Sequence, residues 1–262
     1  MDVAAREGAS ARLGRLRGIS LVLVATLAPA ALADPADGSG VAAYRQARQL
    51  EAGGDLRAAA RDYRALLDEA LPAYVRGDVA LRAGRLLART HGEGADAALR
   101  RAESLAREAG DGRRAALARA LRAEHTLRRS VDAPEVAVLD DAIAQLRAVA
   151  REAAGPVDTF AVRRLLAEAL GRRGLPEEAV ATLQALELDR PAHPDIAEVR
   201  AALAALGAAP ARDAASRLRQ ARALVAARRF EEAADVLEGP VPPEAPRASW
   251  LHTRGRALFR AR

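Results

Sequence analysis

Apolar residues recur along this chain at intervals of three and four, the beat of a helix that buries one face. The clearest stretch is 167–186, A-E-A-L-G-R-R-G-L-P-E-E-A-V-A-T-L-Q-A-L. Ala167 and Leu170 share a face. Gly174 ends their helix, because glycine enters the left-handed conformation at little steric cost. Pro176 opens a second helix where no N–H is needed. Glu177 and Glu178 put negative charge in its first turn, where the helix dipole favours it. Ala179, Leu183 and Leu186 form the inward stripe. The pattern predicts two helices folded back on each other around a tight turn.

The same run of intervals recurs. It is met by Ala47, Leu50, Gly54, Ala59, Tyr63 and Leu66, and by Ala83, Leu86, Thr90, Ala95, Leu99 and Ala102. It is met again by Ala221, Leu224, Arg228, Ala233, Leu237 and Pro240, with arginine in place of the turn glycine. A small residue at Ala59, Ala95, Ala179 and Ala233 lets paired helices approach closely, since packed interiors tolerate little added volume. Tyr63, Leu99, Leu170, Leu183, Leu224 and Leu237 fill the seam. Between 113 and 153 the pattern loosens into a repeat with an insertion at 130–134. Residues 195–206 read as a single helix N-capped by Asp195. Residues 239–246 hold four prolines and read as an extended connection. Gly255, Leu258 and Arg262 then match the alanine, leucine and turn positions of a first helix. No second helix follows, which predicts the front part of a longer protein. The expected fold is all-α, an α-solenoid of antiparallel helical hairpins over 41–262 with the last hairpin incomplete. One hairpin cannot bury its apolar face alone, so neighbours stack.

Composition supports helices. Half the residues are apolar but only 3% are aromatic, so alanine and leucine supply the apolar surface and strand formers are sparse. There is no cysteine, which excludes a disulfide framework, a thiolate metal site and a cysteine nucleophile. All 41 basic residues are arginine, interspersed with acids as on solvated helix faces. Residues 1–33 read as a secretory signal peptide, with Arg6, Arg12, Arg15 and Arg17, an apolar run from Ile19 to Leu27, and Ala31-Leu32-Ala33 before the cleavage point. The apolar run is too short for a membrane span. Residues 34–40 read as a linker. Cleavage removes four arginines and two acids and lowers the net charge from +6 to +4. An exported, mildly basic protein is not expected to partner nucleic acid.

Candidate chemistry is thin. His91, His125, His193 and His252 stand in no metal-ligand spacing. The adjacent acids Glu177-Glu178, Glu231-Glu232 and Asp140-Asp141 point in different directions and fit helix starts better than paired catalysis. No phosphate loop or nucleophile motif appears. No cofactor or metal is expected. Tyr44, Tyr63, Tyr74 and Trp250 read as packing residues.

The segments A-L-G-R-R-G-L-P-E-E-A at 169–179 and R-R-F-E-E-A-A at 228–234 resemble the tetratricopeptide repeat. Residues 160–262 also resemble the N-terminal superhelix of bacterial soluble lytic murein transglycosylases. The resemblance rests on a hairpin, a linker helix, the A-R-R-F-E-E-A-A hairpin, a proline-rich connection and W-L-H-T-R-G-R-A-L-F-R. In that family an exported solenoid precedes a domain that cleaves peptidoglycan, with a catalytic glutamate in a Glu-Ser motif and a Gly-Leu-Met-Gln segment downstream. Glu103-Ser104 lies inside an ordinary helix and no Gly-Leu-Met-Gln follows. The resemblance therefore implies the non-catalytic scaffold of a periplasmic, cell-wall-processing enzyme, with peptidoglycan or a periplasmic protein as partner. The alternative is a free-standing periplasmic adaptor for protein–protein interaction.

Overall fold

The structure is a computed structural model that describes residues 38–69, 71–90, 92–129, 135–152, 159–209 and 213–261. The expected signal peptide, residues 34–37 of the expected linker, His91 and Arg262 lie outside the described residues. Among the described residues the chain is all-helical, with twelve helices and no strand. They are α1 (Gly38–Ala52), α2 (Leu56–Leu66), α3 (Ala73–Arg89), α4 (Ala95–Glu108), α5 (Gly112–Arg129) and α6 (Val136–Glu152). Then follow α7 (Thr159–Arg173), α8 (Pro176–Asp189), α9 (Ile196–Ala205), α10 (Ala214–Ala226), α11 (Phe230–Val236) and α12 (Arg247–Arg260). The described chain divides into two compact units at the step from Val162 to Arg163, within α7.

In the first unit each helix from α1 to α6 packs on the next, and α3 also touches α5. One core gathers Ala47, Ala59, Tyr63, Leu66, Ala83, Leu86 and Ala95. A second gathers Leu99, Ala102, Leu117 and Leu121. The repeat's small positions Ala59 and Ala95 are buried, as are Tyr63 and Leu99. Helices α3 and α4 approach closely at Gly84. A Cβ there would stand 2.6 Å from Leu99 Cγ and 3.1 Å from the Leu99 backbone nitrogen. Ala142, Leu146 and Val149 of α6 are buried at the spacing the sequence implied.

In the second unit α8 packs on α9 and α10, α10 on α11 and α12, and α11 on α12. Ala179, Leu183, Leu170, Leu224, Ala233 and Leu237 are all buried. Helix ends identify the direction of the pairs. Arg163 at the start of α7 donates to Asp189 at the end of α8 at 3.1 Å. Arg217 near the start of α10 donates to the Val236 and Glu238 carbonyls at the end of α11, each at 2.9 Å.

Three of the four turns share one backbone solution. Gly54, Gly174 and Arg228 take positive φ of 85°, 82° and 61°. In each, the next residue's N–H bonds the carbonyl five back: Asp55 to Leu50 (3.0 Å), Leu175 to Leu170 (2.9 Å) and Arg229 to Leu224 (2.9 Å). These bonds satisfy carbonyls that the helix end leaves open. Arg228 is the one non-glycine in this conformation among the described residues. The fourth turn differs from expectation. Thr90 keeps a right-handed backbone (φ −92°, ψ 8°), and Gly94, directly before α4, takes the left-handed conformation at φ 85°. Threonine's branched Cβ clashes there, and the left-handed residue of this turn is Gly94.

The capping expectation at Asp195 also needs correction. Asp195 precedes α9, but its side chain makes no cap hydrogen bond. Asp55 and Asp213 do cap, accepting from the N–H of Ala58 (3.1 Å) and of Ser216 (2.9 Å).

Candidate functional site: a basic groove on α10 and α12

Two clusters in the first unit tie arginines to carboxylates of the same chain. Glu51 on α1 accepts from Arg82 at 2.7 Å, from Arg85, and from the Tyr63 hydroxyl at 3.1 Å. Arg82 Nε also donates to Asp78 at 2.6 Å, and the Tyr44 hydroxyl donates to the same carboxylate at 2.5 Å. Burial works against the charge on Glu51, yet the Arg82 charge and hydrogen bond, with Arg85 behind them, hold its carboxyl below the usual range. Burial, then the bond to Asp78, pushes Tyr44 up to about 12. Burial, then the Glu51 charge, raises Tyr63 as well.

A second cluster centres on Glu103, the glutamate of the Glu-Ser pair. It is buried and accepts from Arg119 at 2.9 Å, Arg122 at 3.0 Å and Arg107 at 2.5 Å. Ser104 turns outward and donates to Glu108 at 2.9 Å. Arg119 reaches on to both oxygens of Glu152, so α4, α5 and α6 are tied through one guanidinium. These carboxylates bind arginines of their own chain. Their geometry supports packing.

In the second unit a set of cations without bonds to other described residues lines one groove. A groove of about 500 Å³ runs along α10 and α12, lined by Arg222, Val225 and Ala226 from one helix and Ser249, His252, Thr253 and Arg256 from the other. Helix spacing explains the placement. Leu218, Ala221, Leu224 and Val225 of α10, and Trp250, Thr253 and Ala257 of α12, turn into the core. That leaves Arg222, His252 and Arg256 at the exposed rim. Thr253 donates its hydroxyl back to the Ser249 carbonyl at 2.8 Å, so the floor is polar but satisfied. The side chains of Arg222, His252 and Arg256 bond to no other described residue, and no carboxylate lines the groove. Two exposed cations beside an apolar wall suit an anion carried on a larger molecule.

Beneath the groove Trp250 is fully buried, and the Arg217 guanidinium lies 5.0 Å from its ring centroid. The repeat positions singled out from sequence lie elsewhere. Ala59, Tyr63, Ala95, Leu99, Leu170, Ala179, Leu183, Leu224, Ala233 and Leu237 belong to cores, and Gly174 to a turn. None lines the groove. Sequence reasoning overlooked Arg222 and Arg256, yet a signal was there. They stand 34 residues apart, each directly after the small residue of its repeat, Ala221 and Gly255.

Among the described residues no group of three His, Asp or Glu side chains stands where it could hold a metal. Nor is any helix among them long and apolar enough to cross a membrane. Compared with family models, curated proteins and solved structures, the chain matches none.

Proposed function

We propose that this chain is a binding scaffold, an α-solenoid of antiparallel hairpins related to the tetratricopeptide repeat, that carries no chemistry of its own. Shared turn geometry at Gly54, Gly174 and Arg228, with successive helices from α1 to α6 in contact in the first unit, supports the repeat reading. The ligand is an anionic polymer or peptide laid in the α10–α12 groove. The observation that carries this is the pair Arg222 and Arg256, free of carboxylates and equivalent in successive repeats. Together with the leader-like segment 1–33 and the resemblance of 160–262 to the transglycosylase superhelix, it favours peptidoglycan, whose stem peptides carry carboxylates. The protein then holds cell-wall substrate in the periplasm for a lytic-transglycosylase-type domain.

Co-sedimentation with purified sacculi tests this reading. The wild type pellets at low salt, and Arg222→Ala/Arg256→Ala stays in solution with unchanged circular dichroism. Wild-type protein that remains in the supernatant refutes the peptidoglycan assignment. Capture of one periplasmic protein by the wild type, lost in the same double variant, moves the groove to the adaptor reading.

A further inference from the structure

The lining of the α10–α12 groove holds one side chain of the type that changes charge between about pH 5 and 8. His252 stands on α12 one turn after Ala248 and one turn before Arg256, so the three share a stripe along the wall. The step from His252 to Arg256 is about 6 Å along the helix axis, short enough for one anionic group to touch both side chains. Other hydrogen-bonding groups of the wall are few. The Thr253 hydroxyl is occupied by the Ser249 carbonyl at 2.8 Å, and the side chains of Val225, Ala226 and Ala248 offer none. His252 is exposed and bonds to no other described residue. His193 differs, because its Nδ1 accepts from the Asp195 N–H at 3.2 Å with the Asp195 carboxylate 3.9 Å away.

The charged groups that line the groove with His252 are of one sign. Arg222 stands on α10 across the groove, and Arg256 follows on α12. Other arginines of these two helices are engaged elsewhere: Arg217 with the Val236 and Glu238 carbonyls, Arg219 with Asp189, and Arg254 with the Gly239 carbonyl. Arg247 and Arg260 of α12 lie outside the lining. Helix α11 also packs on α12, but its acids Glu231, Glu232 and Asp235 do not line the groove, and neither does Glu244 of the preceding connection. The lining thus supplies no carboxylate to stabilise a protonated ring, and a bound anion would. A neutral imidazole offers one donor, whereas the protonated ring offers two and a full charge. An anion seated against Arg222 and Arg256 therefore favours the protonated form.

We infer that His252 is a third contact for the anion and makes binding in the groove proton-linked. The bound state holds more protons than the free state, so affinity rises as pH falls from about 8 to 6 and declines again as the ring gives up its proton. This role rests on the anion site proposed for the groove, whichever anion it takes.

The probe is a short sulfated oligosaccharide labelled with tetramethylrhodamine, since sulfate esters stay ionised across this range. Its anisotropy is titrated with the full chain at about pH 6 and pH 8, at one low ionic strength. Expected is binding tighter by about threefold or more at the lower pH. His252→Gln binds weakly and His252→Arg tightly, each alike at both pH values. Two results overturn the role of His252 alone: wild-type binding that is flat with pH, or a pH ratio that persists in His252→Gln. Both leave the groove reading standing where Arg222→Ala/Arg256→Ala abolishes binding. Binding that survives this double variant, or none by the wild type at low salt, overturns the groove reading and the role of His252 together.

Discussion

Replacing Arg228 with glycine removes an exposed cation and relaxes a strained backbone, and the structure sets the size of the effect. The residue holds φ at 61° while Gly54 and Gly174 hold 85° and 82° in turns with the same closing bond. For an L side chain the left-handed well costs roughly 1–2 kcal/mol. Glycine gives back roughly 0.5–1 kcal/mol through the greater freedom of its unfolded chain. The Arg228 side chain is exposed and bonds to no other described residue, so no contact is forfeited. The net is a stabilisation of about 0.5–1 kcal/mol. At Gly174 the same reasoning runs backwards. A Cβ there meets nothing within 4 Å, so Gly174→Ala is penalised by backbone conformation alone and loses about 1 kcal/mol. Urea unfolding followed by circular dichroism measures both, with the slope unchanged. The two sites lie in different turns, so the double variant sums the single effects. If Arg228→Gly lowers the midpoint, or Gly174→Ala leaves it alone, the shared-turn argument fails.

Other substitutions probe packing and charge. Gly84→Ala drives a methyl into Leu99 and its backbone, and should destabilise by about 1–3 kcal/mol in the same urea assay. Ala179→Leu should cost a similar amount, because Ala179 is fully buried. Glu51 has a folded carboxyl below the ordinary 4.5, so its stabilisation is present above that pH and lost as acid is added through the lower, folded value. Glu51→Gln should therefore destabilise by about 2 kcal/mol at neutral pH and flatten the acid limb of a stability–pH curve. Tyr44, raised to about 12, should ionise above its usual value of 10 in a 295 nm titration, and the high component should shrink in Tyr44→Phe.

Much of the helical plan is legible in the chain of residues itself, because apolar spacing and glycine positions act locally. Arg228 shows how far that reaches: an arginine in a glycine slot still takes the left-handed backbone, since the flanking helices dictate the turn. Thr90 shows the opposite. Interval matching takes no account of its branched side chain, and Gly94 carries the reversal instead. Residue type alone points to Asp195 as a cap, and its side chain leaves the cap unmade. The ion clusters are out of reach of local patterns because their partners, such as Glu51 and Arg85, lie 34 residues apart on different helices. The groove emerges only when repeats are aligned, so that Arg222 and Arg256 become a pair.

The lone indole has a practical use. Trp250 is enclosed by α10, α11 and α12, with a guanidinium against its face, and belongs wholly to the unit that begins at Arg163. Its emission therefore reports on that half of the molecule only, while far-ultraviolet dichroism sums both. Disagreement between the two signals during denaturation would reveal halves that melt separately, and matching curves would reveal a single cooperative event. The chain thus comes with its own probe of whether its two units stand or fall together.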